Sequence, residues 1–202
     1  MSSSEDYQSI IIAGMKHTGK STFIRENFID KYVLAGKKVL IICDSSPTAY
    51  KGIGRLNSYN AIETWIAQDE IKVAKFYDTF NPMGMFVRLR QLAMEEKLYN
   101  MLLVCEDATA YIDAKPTMSQ KAFLTNHRNS RLDVIYTLHA LIDVPKFMWR
   151  QTTMLITKKT EDNAATLLPE MRKRTTHADK IYNTWLGVMK DKNQFAVDYI
   201  HL

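Results

Sequence analysis

The chain has 202 residues, 46% hydrophobic and 24% charged, a balance that excludes an intrinsically disordered polymer and suits one globular domain. No apolar run approaches the roughly 18–20 residues a membrane-spanning helix needs, and two cysteines are too few for a disulfide scaffold. The formal charge of +5 is uneven: residues 115–192 hold 14 Lys and Arg against 7 Asp and Glu, which suits a polyanionic partner or a solvated basic surface.

Residues 1–8 lack the basic and apolar regions of a secretory signal and read as a short disordered lead-in. From residue 9 onward, short β-rich runs alternate with longer helical ones. Strands are expected over 9–13, 39–43, 73–77, 101–105, 133–137 and 153–157. Three of these are unbroken apolar runs, the pattern of strands covered on both faces. Helices are expected over 20–34, 61–68, 85–98, 118–126 and 161–172. Residues 188–190 and 194–198, split by Asp191-Lys192-Asn193, read as a C-terminal β-hairpin at the sheet edge. The alternation specifies an α/β fold, a mainly parallel central sheet flanked by helices, with residues 9–202 as a single domain. Cys43 and Cys105 each close an apolar run and are expected as buried free thiols.

Between the first strand and the first helix lies Gly14-Met15-Lys16-His17-Thr18-Gly19-Lys20-Ser21-Thr22, which fits G-x-x-x-x-G-K-[ST]. The glycines permit backbone conformations that a side chain forbids, so successive N–H groups can curl around a phosphate at the start of a helix. Lys20 can bridge β- and γ-phosphates, and the Ser21 hydroxyl can ligate Mg²⁺. Gly14, Lys16, His17, Thr18, Gly19, Lys20, Ser21 and Thr22 are the expected nucleotide-binding residues, with ATP and Mg²⁺ as cofactors of a P-loop ATPase.

The strand over 101–105 ends in Glu106-Asp107. An acid there can hold the Mg²⁺ shell, and the next can orient an attacking water. By position Glu106 is the metal-side acid and Asp107 the catalytic one, an inversion of the more usual Asp-then-Glu order. The run Asp133-Val-Ile-Tyr-Thr-Leu-His139 ends in Thr137 and His139, and His139 is a candidate sensor of the γ-phosphate or an ordinary loop histidine. Just ahead of it, His127-Arg128-Asn129-Ser130-Arg131 is a basic cluster suited to a helix end or to catalysis.

This order of motifs resembles the FtsK/HerA-type P-loop ATPases, which include DNA pumps, viral genome-packaging ATPases and the zonula-occludens-toxin-like phage assembly proteins. The resemblance covers roughly residues 9–157. It rests on 14–22, on 101–108, and on Arg128 and Arg131 shortly before a strand with a polar tip. Ile142-Asp143-Val144-Pro145 and Arg150 then precede the next strand. In that family a Gln commonly ends the sensor strand, where this chain has His139. The resemblance implies a RecA-like (ASCE) sheet and a homo-oligomeric ring in which Arg128 or Arg131, with Arg150 in reserve, reaches a neighbour's nucleotide. It also implies sequence-independent movement of double-stranded DNA, as in packaging into a capsid from the host cytoplasm, with a capsid or portal component as docking partner. Lys115, Lys121, Lys158, Lys159, Arg172, Lys173 and Arg174 are candidates to face DNA. Two alternatives use the same phosphate loop. One is a filamentous-phage assembly ATPase, which has an added membrane segment. The other is a small-molecule or nucleotide kinase with a lid over 169–177, carrying Arg172, Lys173 and Arg174.

Overall fold

A strand with no polar residue has no face to offer water, so it must be covered on both sides. In the computed structural model, which describes residues 7–44, 48–82, 84–112 and 115–202, the apolar runs are used in this way. Among the described residues the strands are β1 (Ser9–Ala13), β2 (Val39–Ile42), β3 (Arg55–Leu56), β4 (Val73–Phe76), β5 (Met101–Cys105), β6 (Leu132–Leu138), β7 (Met154–Thr157) and β8 (Asp198–His201). They form one sheet ordered β3-β4-β2-β5-β6-β1-β7-β8, parallel throughout except that β8 runs antiparallel to β7. Every residue of β1, β2 and β5 is buried.

Alternation along these strands divides the interior into two layers. Ile11, Ala13, Leu40, Ile42, Leu103 and Cys105 face one; Ile10, Ile12, Val39, Ile41, Leu102 and Val104 face the other. The second layer is closed by α1 (Lys20–Ile24), a π-helical turn (Arg25–Ile29) and α2 (Asp30–Leu34), a continuous helical run. The first is closed by α3 (Tyr59–Ala67), α4 (Met85–Met94), α5 (Met118–Asn126), α6 (Lys146–Trp149), α7 (Ala164–Arg172) and α8 (Ala178–Lys190), through residues such as Trp65, Leu89, Phe123, Met148, Leu167 and Trp185. Both cysteines are buried and free, and burial pushes the Cys43 thiol up to about 11.

Several boundaries depart from the sequence reading. The helix over 20–34 carries its π turn because Ile24 and Ile29, five residues apart, are both buried. An α-helical spacing would swing the second off the sheet, and the wider turn returns it. The helix expected over 85–98 stops at Met94, where Glu96 takes a left-handed φ of 55°. Residues 188–190 are the last turn of α8, whose buried stripe Ala178, Ile181, Trp185, Val188 has helical spacing. The C-terminal antiparallel pair exists, but its strands are β7 and β8, joined through α7 and α8. Of the expected lead-in, residues 1–6 lie outside the described residues. Gln8 already pairs with β6, its carbonyl accepting from the Val134 N–H at 2.9 Å.

Candidate functional site: a phosphate loop facing two acids

Parallel strands bring their carboxyl ends to one side of the sheet, and a ligand binds where neighbouring strands release loops there. β5, β6 and β1 are adjacent, and the register pairs Ala13 with Leu138 and Cys105 with Tyr136. The residues that follow these three strands therefore meet. Together they line a cleft of about 450 Å³, bounded by Met15, Lys16, His17, Gly19–Thr22, Thr48, Ala49, Glu106, Asp107, Thr137 and His139.

The loop after β1 is tied at its start to two neighbouring segments. Gly14 N–H donates to Leu138 O at 3.0 Å, and Met15 N–H to Lys159 O at 2.6 Å. A Cβ on Gly14 would lie 2.9 Å from both Lys158 Cβ and Thr18 Oγ1, so only glycine fits between them. Gly19 has φ 74°, and His17 holds a left-handed φ of 62°. A non-glycine residue there costs about 1–3 kcal/mol. Burial of each β1 isoleucine contributes about 1.5–3 kcal/mol, so the strand outweighs the strain of its loop. Lys20 turns back into the concavity and donates to Gly14 O and Met15 O. Burial holds its pKa below the ordinary lysine value, and the charges of Glu106 and Asp107 oppose that shift.

Glu106 is buried, and three hydroxyls converge on its carboxylate. Ser21 Oγ donates to Oε1 at 2.8 Å, Tyr50 OH to the same oxygen at 2.5 Å, and Thr137 Oγ1 to Oε2 at 2.6 Å. Its carbonyl accepts from Tyr111 OH at 2.8 Å. Three donors occupy most of the roughly four lone-pair positions a carboxylate offers. Burial, reinforced by the Glu106 charge, pushes the Tyr50 hydroxyl far above its ordinary pKa, so it stays a donor. Asp107 differs in every respect. Its side chain is 53% exposed, its backbone sits at φ 54°, and its N–H donates to Thr137 Oγ1 at 2.8 Å. His139 Nε2 lies 2.7 Å from Asp107 Oδ1, while its Nδ1 is buried with no hydrogen-bond partner among the described residues.

The structure thus brings together Lys20, Ser21, Glu106, Asp107 and His139. It does not bring Arg128 or Arg131 to them. Those two precede β6, whereas the cleft lies beyond its other end, on the order of 25 Å away at strand rise. Arg128 donates weakly to Gln151 O, and Arg131 lies over the Tyr99 ring at 5.4 Å. The kinase-lid candidates do not line the cleft either. Arg172, Lys173 and Arg174 line a cavity of about 570 Å³ with Lys146, Arg150, Thr152 and Leu202, and Arg174 is held by Ile142 O and Val144 O. Lys158 is buried, its ammonium 3.2 Å from Phe195 O, so it presents no charge to a polymer.

No family model matches the chain, and no curated protein matches it. Solved structures do match. The genome packaging NTPase B204 of Sulfolobus turreted icosahedral virus 2, in complex with AMPPCP, superposes with TM-score 0.76 over 96% of this chain and 92% of that one, at 18% identity. The fold is that of a P-loop NTPase. Two conjugation coupling proteins share this P-loop NTPase fold more distantly. The pCW3 protein TcpA matches at TM-score 0.54 and 9% identity over 85% of this chain and 53% of its own. The bacterial coupling protein TrwB matches at 0.51 and 11% over 80% and 72%. In the sheet, β6 stands between the phosphate-loop strand β1 and the acid-bearing strand β5. Among the described residues no helix is long and apolar enough to cross a membrane.

Sequence reasoning missed Tyr50 and Tyr111. Each is buried and reaches Glu106 from a segment that carries no motif, across separations of 56 and 5 residues. For Tyr50, no pattern in the sequence signals that contact.

Proposed function

We propose that the chain binds ATP with Mg²⁺ in this cleft, hydrolyses it, and couples hydrolysis to movement of DNA as a ring-forming genome-packaging ATPase. The observation that carries the reading is the convergence of Lys20, Ser21, Glu106 and Asp107 at the carboxyl ends of three adjacent parallel strands. Ser21 Oγ and Glu106 Oε1, 2.8 Å apart at the cleft wall, are the hard oxygen donors that suit Mg²⁺. When bound there, the ion supplies positive charge to the β- and γ-phosphate oxygens. Lys20 adds its ammonium to the same oxygens, and the loop N–H groups from Lys16 to Ser21 cradle the β-phosphate. Glu106, held by three hydroxyls, is a fixed anchor. Asp107, solvent-reached and oriented by His139, aligns the water for in-line attack on the γ-phosphorus.

The DNA reading is supported by the likeness to B204, whose structure is described as that of a packaging NTPase, and by the basic cavity holding Lys146, Arg150, Arg172, Lys173 and Arg174. Its test is ATP hydrolysis by the purified chain with and without double-stranded DNA. Stimulation is expected, and it should fade as salt rises, with DNA affinity falling by a log–log slope of about 0.9 per phosphate contacted. Absence of DNA binding at low salt removes the motor reading, and phosphorylation of a nucleoside or nucleotide replaces it with a kinase.

The ring reading rests on where the arginines stand. Arg128 and Arg131 stand a strand's length from their own cleft, so a catalytic role for either is one on a neighbour's nucleotide, the other reading being a helix cap or a DNA contact. An arginine supplied this way is worth roughly 10³–10⁵ in turnover in other NTPases. Mixing Lys20→Ala subunits with Arg128→Ala or Arg131→Ala subunits should restore part of the hydrolysis that each lacks alone. Co-assembled mixtures that stay inactive exclude that arginine from a role across the boundary.

A further inference from the structure

The cleft has a direction. Glu106, Asp107, Thr137 and His139, the groups suited to the reacting γ-phosphate, all stand on β5 and β6, to one side of β1. A triphosphate laid along the start of the helical run must then carry its nucleoside toward the other neighbour of β1, which is β7. On that side an aromatic ring, that of Phe195, lies against the phosphate loop. Phe195 Cδ1 lies 3.4 Å from where a Cβ on Gly19 would be, so the ring edge rests on the bare glycine. Contact of this kind usually buries a phenylalanine, yet Phe195 remains 52% exposed.

The ring is held there by an organised turn. Residues 191–197 connect α8 to β8 across the carboxyl end of β7, where Lys158 and Lys159 follow Thr157. Lys158 donates to Phe195 O at 3.2 Å and Lys159 to Asp191 O at 2.5 Å. The carbonyl of Lys159 in turn accepts from Met15 N–H in the phosphate loop. Within the turn, Asn193 N–H donates to Asp191 Oδ1 at 2.8 Å and Phe195 N–H to Asn193 Oδ1 at 2.9 Å. Two side-chain-capped turns and two lysine ties therefore fix an exposed ring beside Gly19, on the nucleoside side of the loop. An aromatic held open in water costs free energy, and a flat π-surface is what recovers it.

We infer that Phe195 is the stacking platform for the nucleobase of the bound nucleotide. This rests on the nucleotide reading above and adds to it the subsite for the base. Stacking uses the π-face that every base has, so the platform favours a nucleoside without selecting strongly among bases.

The experiment compares ATP, GTP and inorganic tripolyphosphate, each with Mg²⁺, on wild type, Phe195→Ala, Phe195→Trp and Lys20→Ala by calorimetry. Phe195→Ala should weaken ATP and GTP alike by about ten- to a hundredfold and leave tripolyphosphate binding unchanged. Phe195→Trp should retain nucleotide affinity, and its added indole should change fluorescence with ATP but not with tripolyphosphate. Lys20→Ala should weaken all three ligands. If Phe195→Ala binds ATP as wild type does, or loses tripolyphosphate to the same degree, the base platform is overturned while the phosphate site stands. If wild type binds none of the three, the nucleotide site itself is overturned and the platform with it. If the Phe195→Ala chain does not fold, the Phe195→Trp fluorescence decides alone: a response to tripolyphosphate equal to that with ATP overturns the platform.

Discussion

Lys20→Ala is expected to abolish ATP hydrolysis, by about 10²–10³-fold or more, in a protein that remains folded. The ammonium lies in the concavity of the loop against Gly14 O and Met15 O, and no core side chain depends on it for packing. Its depressed pKa means that folding already works against the desolvation of this charge. Removing it relieves that cost and leaves thermal stability unchanged or slightly raised. The catalytic loss is of the size seen when one preorganised charge or donor is taken from a developing anion. Phosphate release and thermal unfolding, measured on the same preparation, separate the two effects. Wild-type turnover in the variant would exclude the cleft as the site of hydrolysis, and a folding collapse would make Lys20 structural.

The second large effect separates the two acids. Asp107→Asn should fold as well as wild type, since the side chain is half exposed and asparagine tolerates φ near 54° better than most residues. It should keep ATP and Mg²⁺ affinity and slow the chemical step by about 10²–10⁴-fold, the usual contribution of a positioned base. Glu106→Gln should behave differently. Three hydroxyls donate to that carboxylate, and an amide nitrogen in place of either oxygen meets a donor with a donor. Leaving a buried hydroxyl unsatisfied costs about 1–3 kcal/mol, so this variant should melt earlier and need more Mg²⁺ for the same rate. Single-turnover hydrolysis across a Mg²⁺ titration, with unfolding midpoints, reads both outcomes. Normal chemistry in Asp107→Asn beside a Glu106→Gln chain that binds metal normally but does not turn over would reverse the assignment.

The inverted order of these acids was visible in the sequence, but the difference between them was not. Adjacent residues at a strand end point to opposite sides, and which one meets the buried hydroxyls depends on what the neighbouring strands deliver. Thr137 arrives from β6, Tyr50 from the turn after β2, and Ser21 from the helical run, at separations of 31, 56 and 85 residues. No local pattern encodes such a meeting. The same reason hid Phe195, whose place beside Gly19 is set by a turn joined to the phosphate loop through Lys158 and Lys159.

The amino-acid sequence by itself determined the α/β class, most strand positions and the phosphate loop. Each of these is written locally: in apolar runs that must be covered on both faces, in glycines where a side chain cannot stand, and in Lys-Ser at the start of a helical run. It misread 188–190 as strand because three residues are too few to tell one period from another, whereas the buried stripe from Ala178 to Val188 shows the helix. The tertiary structure alone decided strand order, and with it that β6 separates β1 from β5. It alone decided that Glu106 is enclosed while Asp107 is open, and that Arg128 and Arg131 lie at the end of the sheet away from their own cleft. Those outcomes depend on which distant segments share a face of the sheet, and that is fixed only when the two apolar layers close around it.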